Sequence, residues 1–210
     1  APRLKSSKRQ EPRCLAVSTC GNWLVAMQPG ALNIYAAEAP WPLEQVLLPM
    51  TDPNTGEATE WCCASFSPGR SSSQTEEVGT FLAAFSTTHL LLLDYAAGWS
   101  PNLLSQRSHS LLRFARPTSA AYSPCGGWVL CGNAAGQIQT WSVRGALTLE
   151  GRLSAHVGSL NCLTFSPRAA RYKPRAVSCG KDRSLCVWQA TASSWIQELS
   201  VFDAHSGSEG

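Results

Sequence analysis

The residues of this chain best suited to chemistry are Ser178, His156 and Asp182, with Trp188 close by in sequence. A serine, an imidazole and a carboxylate are the parts of an acyl-transfer triad, in which the imidazole takes the hydroxyl proton and the carboxylate orients the ring. Such a serine needs an exposed hydroxyl beside an oxyanion site. Ser178 instead stands inside the apolar run AVSC, with no G-x-S-x-G turn around it. Thiolate chemistry is the next option. Cys179 and Cys186 fall on either side of a turn that holds Lys181 and Arg183, and a reactive thiolate requires a cationic neighbour and exposure. The nine cysteines are scattered and form no C-x-x-C pair, and His89, His109, His156 and His205 lack metal-ligand spacing. A disulfide framework and a zinc site are therefore not expected. No phosphate loop, dinucleotide fingerprint or H-E-x-x-H occurs, so no cofactor is implied.

The elements that position these residues belong to a chain of 210 residues, 44% apolar and 15% charged. That composition fits about one folded domain and excludes disorder of the whole chain. The longest apolar stretch, 81–99, is interrupted by Thr87, Thr88, His89 and Asp94 and falls short of a membrane span. Lys5, Lys8 and Arg9 are not followed by the apolar run of a secretory signal. The cysteines are accordingly expected to be reduced, mostly buried, in the cytosol or nucleus. Of the net charge of +3, residues 1–13 carry +4 and the remainder about −1. Basicity thus belongs to an arm, read as a solvated tail or linker, with a nuclear-import or phosphate-contacting role as the sharper alternative. Residues 70–80 (RSSSQTEEVGT) read as a surface loop.

Four segments share one plan: a small turn, a short apolar run, a second turn, a second apolar run, and usually an aromatic at its end. They are AVSTCGNWLVAMQPGALNIY; ASFSPGR continued by FLAAFSTTHLLLLD; AAYSPCGGWVLCGNAAGQIQTW; and CLTFSPRAARYKPRAVSCGKDRSLCVW. Aligned on Tyr35, Leu93, Trp141 and Trp188, they are 58, 48 and 47 residues apart, the excess in the first interval being the 70–80 insertion. Period-2 runs between turns at a spacing near 47 predict repeated four-stranded antiparallel units. Fourth strands are expected at 43–48, 110–114, 146–153 and 195–202. The units fall at about 14–50, 61–114, 117–153 and 157–203, with a short tail at 207–210.

The fourth unit resembles the WD40-repeat family of β-propellers. Ala155-His156 stands at the family's Gly-His position, and Ser178, Asp182 and Trp188 at its Ser/Thr, turn-Asp and Trp positions. In the other units Ala135, Thr87 and Pro29 replace the turn aspartate. The resemblance implies an all-β propeller of about four blades, with His156, Ser178, Asp182 and Trp188 as a structural tetrad. In it each ring nitrogen finds a partner and the indole closes the chain, since buried polar groups are costly unless satisfied. The third unit's turn is expected to rely on positive φ at Gly132, Asn133 and Gly136, and the first on the corner Pro29-Gly30. Trp23 and Trp128, each just after a Gly-containing turn, are expected to pack.

Four blades fall short of the seven usual in that family, which would need about 300 residues. An excerpt of a longer propeller is the leading expectation, since the chain opens on Ala1 and Ala204-His205 comes 49 residues after Ala155-His156. Self-association, insertion into a partner's ring, or closure of four blades follow in that order. Function by resemblance is a non-catalytic scaffold for other proteins in a multi-subunit complex. Its partner surface would be the loop end carrying Lys181, Ser159, Ala134 and Gln28. The alternatives are a ribonucleoprotein component using the arm on phosphate, and a serine or thiol hydrolase. No membrane partner is expected.

Overall fold

The computed structural model describes residues 12–38, 40, 42–48, 51, 56, 59–68, 81–94, 107–111, 113–144, 146–167, 174–191 and 194–202. The arm up to residue 11, the 70–80 insertion and Ala204-His205 lie outside the described residues. No helix occurs among those described. The strands make four antiparallel sheets, each in plain up-and-down order. The first blade holds β1 (Cys14–Val17), β2 (Trp23–Gln28), β3 (Ala31–Ala36) and β4 (Leu43–Leu47). The second holds β5 (Trp61–Phe66), β6 (Phe81–Ser86), β7 (His89–Asp94) and β8 (Arg107–Ser110). The third holds β9 (Pro117–Tyr122), β10 (Trp128–Asn133), β11 (Gln137–Ser142) and β12 (Thr148–Ser154). The fourth holds β13 (Leu160–Phe165), β14 (Arg175–Gly180), β15 (Leu185–Ala190) and β16 (Trp195–Val201).

The blades stack face to face in chain order, β1 beside β5, β5 beside β9 and β9 beside β13. Stacking explains the two kinds of strand sequence. The run Leu90–Leu93 of β7 is apolar without alternation because its sheet is covered on both faces, by the first blade and by the third. Strand β12, at an outer edge, alternates exposed and half-buried residues, TLEGRLS. Three cores result: Val25, Met27 and Ile34 against Leu82 and Leu93; Phe85 and Leu92 against Val129 and Trp141; Leu130 and Ile138 against Leu163 and Trp188. Each such side chain contributes about 1.5–3 kcal/mol when removed from water. Polar ties fix the stagger. The Tyr122 N–H donates to Ser65 Oγ (3.0 Å) and the Leu163 N–H to Ser119 Oγ (3.1 Å), a link repeated between successive innermost strands. The outer faces of the end blades are apolar and exposed, with Leu15 and Val17 on the first and Leu199 and Val201 on the fourth.

Several expectations need correction. The fourth strand of the second blade is β8, Arg107–Ser110, and not 110–114. Leu111 and Phe114 turn into the core instead, and Arg113 takes a positive φ of 55° as the chain crosses to the next blade. The other three fourth strands differ from expectation by a residue or two at their ends. Of the three residues expected at the third blade's β10–β11 turn, Gly136 has positive φ; Gly132 and Asn133 do not. Asn133 uses its side chain: its Oδ1 accepts from the Ala135 and Gln137 N–H groups at 3.0 and 2.9 Å. The corner Pro29-Gly30 does join β2 to β3 as a two-residue turn. Trp128 packs edge-on against Trp195 at 6.0 Å, and Trp23 lies against the core between the first two blades.

Candidate functional site

The turn from β14 to β15 is built from Lys181, Asp182, Arg183 and Ser184, with Arg183 at φ 61° taking the left-handed place that a glycine usually holds. Asp182 curls back over this turn. Its Oδ1 accepts from the Ser184 hydroxyl (2.7 Å) and the Ser184 N–H (3.1 Å), and its Oδ2 from the Val157 N–H (2.8 Å). The loop entering β13 thereby becomes fixed to the turn. His156, from the same loop, drops its ring beneath the carboxylate. Nδ1 lies 3.1 Å from Asp182 Oδ1 and 2.7 Å from Ser184 Oγ, and Nε2 lies 2.8 Å from Ser178 Oγ. The Trp188 indole N–H donates to the same Ser178 oxygen at 2.9 Å.

Proton placement follows from the acceptors. An ionised carboxylate offers no hydrogen, so Nδ1 carries the proton and donates toward Asp182 and Ser184. Nε2 is then an acceptor for the Ser178 hydroxyl, whose oxygen receives the indole N–H. The chain Trp188, Ser178, His156, Ser184, Asp182 runs donor to acceptor throughout. Burial works to raise the Asp182 pKa, but hydrogen bonds from the Ser184 hydroxyl, the Val157 and Ser184 amides and the His156 ring outweigh it. The carboxyl is held well below its ordinary range. Ser178 is 1% exposed, with its hydroxyl committed on both sides. A nucleophile must be reachable by its substrate, and the Ser178 oxygen is shut away from solvent beneath the His156 ring and the Trp188 indole.

Close fit reinforces the arrangement. A methyl group at Gly180 would sit 2.7 Å from His156 Cγ, so the ring occupies the space a side chain would take. Gly136, in the third blade's turn, reaches the same loop from behind. Its carbonyl accepts from the Ala155 and His156 N–H groups at 3.0 and 2.9 Å. The four tetrad residues expected from sequence are thus brought together. Ser184 was missed; the signal was its hydroxyl two residues after the turn aspartate, the spacing at which a carboxylate and a backbone amide close an Asx turn. Cys179 does not join the cluster, and burial pushes its thiol up, away from thiolate character.

The residues expected at the loop end are placed unevenly. The Lys181 N–H donates to the Ser159 carbonyl (2.9 Å), the Ala134 N–H to the Arg116 carbonyl (2.9 Å), and the Thr87 N–H to the Glu60 carbonyl (2.9 Å). Lys181, Ala134 and Thr87 are therefore equivalent, and Lys181 and Ala134 are exposed beside the half-buried Ser159. Gln28 does not share their position. It is the last residue of β2, paired with Ala31, because the turns of the first two blades are one residue shorter than those of the third and fourth. Pro29 is the equivalent, so Pro29 and Thr87 stand at the Lys181 place and not at the turn-aspartate place expected of them. Counting back from a fixed position in β3 places it one residue out.

Residues 147–189 match the family model described as WD domain, G-beta repeat. No curated protein shows significant similarity to the chain. The matched span runs from just before β12 into β15 and contains all five members of the buried cluster. The sheet order and the blade-on-blade packing are repeated by the other three sheets, whereas among the described residues the aspartate-closed turn and the imported imidazole belong to the fourth. The chain carries a WD40 repeat at residues 147–189, and its four sheets form a partial WD40-type β-propeller.

Proposed function

We propose that this chain is a non-catalytic scaffold that holds other proteins within a multi-subunit assembly, in the cytosol or nucleus. WD40 domains typically bind proteins and are typically non-catalytic. The observation that carries the reading here is the commitment of the chemistry-bearing residues to one another. His156, Ser178, Asp182, Ser184 and Trp188 spend their polar atoms on locking a loop to a turn. What this lock presents outward is the loop end, with Lys181 exposed at its edge and Val157 beside it. Rigid, pre-set loops lower the ordering cost of binding. Affinity capture with the full-length product, followed by mass spectrometry, should return a set of partners that Lys181→Glu depletes while the melting temperature stays unchanged. Loss of melting temperature without selective loss of partners would count against this surface. Labelling of Ser178 by an activity-based serine probe in the native protein would overturn the non-catalytic reading.

A further inference from the structure

The repeated loop geometry gives each blade one residue immediately ahead of its innermost strand: Arg13, Glu60, Arg116 and Ser159. Three of these are joined. Glu60 Oε2 accepts from Arg13 Nη1 at 3.1 Å and from Arg116 Nη2 at 2.9 Å, linking the first three blades. The three side chains remain 43–46% exposed. One carboxylate oxygen facing two guanidiniums leaves this point positive, and each guanidinium has five N–H donors, of which one is directed at Glu60. Arg113, Lys181 and Arg183, all exposed, continue the same loop end. The local excess of cations contrasts with the slightly acidic body as a whole, which a count over the entire chain conceals. Val157, 85% exposed, adds an apolar contact next to Lys181 and Asp182.

We propose that this rim recognises an acidic segment of a partner protein, whose carboxylates take the Arg13 and Arg116 guanidiniums while Glu60 acts as a built-in competitor for them. The inference rests on the scaffold reading above and names the chemistry of its partner. A peptide suits the surface better than a nucleic acid. A strand of evenly spaced phosphates would be forced against Glu60, whereas a peptide can set carboxylates over the arginines and an apolar side chain on Val157. Attraction between exposed charges steers association and fades once the screening length falls to about 10 Å near 0.1 M salt.

The test is fluorescence anisotropy on the whole chain with a fluorescein-labelled dodecapeptide of alternating glutamate and leucine. Binding at low salt that weakens as salt rises is expected, with none for the lysine-substituted control peptide. The double variant Arg13→Ala/Arg116→Ala should weaken binding about five- to tenfold, the combined scale of two exposed charge contacts. Glu60→Gln should tighten it about threefold by removing the competitor. All three positions are exposed, so an unchanged unfolding midpoint verifies that each variant folds. Absence of peptide binding, weakening by Glu60→Gln, or preference for a single-stranded oligonucleotide over the peptide would overturn the proposal. If Lys181→Glu depletes captured partners and the double arginine variant does not, the acidic-segment inference falls while the scaffold reading stands. If neither variant alters capture, the loop surface itself is wrong.

Discussion

The third and fourth blades close the same turn in two ways. Both turns place one residue in the left-handed region, Gly136 in the third and Arg183 in the fourth. In the third blade the closing group comes from within, because Asn133 ends its own strand and caps the two amides that follow. In the fourth it comes from outside, because His156 arrives on the preceding loop and Asp182 reaches back to meet it. A locally capped turn can form without its neighbours. An imported lock couples the loop, the turn and two strands, so that all four hold or fail together. Cys131 stands where Ser178 would be in the third blade, so a hydroxyl relay is not available there. The fourth blade is therefore the more cooperative unit, and the third the more autonomous.

The widest separation between the two should come from removing the closing group. His156→Ala strips partners from Ser178, Asp182 and Ser184 together and should cost about 3 kcal/mol, whereas Asn133→Ala should cost about 1–1.5 kcal/mol. Urea unfolding of both variants reads the difference directly. Equal losses would remove the distinction between imported and local closure. A finer test uses the two glycines. Gly180→Ala drives a methyl into the His156 ring, and Gly136→Ala forces an alanine to φ +78° against the His156 and Gly158 carbonyls. Each should cost about 1–3 kcal/mol. Only Gly180→Ala should also disturb the ring, seen as a shift in the His156 imidazole resonances larger than in Gly136→Ala.

The smallest effect is on the pH profile. The folded Asp182 pKa lies below its ordinary value of 3.8, so the turn's stabilisation is fully present above about pH 4 and is lost as pH falls further. Asp182→Asn should flatten that acid-side decline in stability, measured by thermal unfolding between about pH 2 and pH 5, the window around an ordinary carboxyl pKa. Because the third blade has no turn carboxylate, Asn133→Ala should leave the acid-side slope unchanged. An identical slope in the wild-type chain and Asp182→Asn would mean that the carboxylate does not report on folding.

Most of the fourth blade was legible because its sequence names its own partners. Ser178, Asp182 and Trp188 occur in one hairpin, and His156 precedes that hairpin at a fixed distance along a repeating plan. The weaker units were less legible where length varied. A turn shorter by one residue moved Gln28 out of register with Lys181, and an apolar pair, Leu111 and Phe114, passed for strand when it was filling the core between blades. Apolar periodicity marks a residue as buried without saying whether its backbone is paired.

The repeat, its period and the all-β architecture were determined by the amino-acid sequence alone, because alternation and turn chemistry are properties of short segments. Ser178 and Asp182 as partners of the buried imidazole followed from the resemblance of the fourth unit to a WD40 repeat. Other features were decided only in the tertiary structure. These are the sharing of Glu60 between Arg13 and Arg116, the nesting of Gly136 against the His156 loop, and the enlistment of Ser184. The first two join residues of different blades through the stagger of one sheet on the next, which is set by side-chain packing across whole faces. The third needs the loop entering the fourth blade to fold onto that blade's own turn.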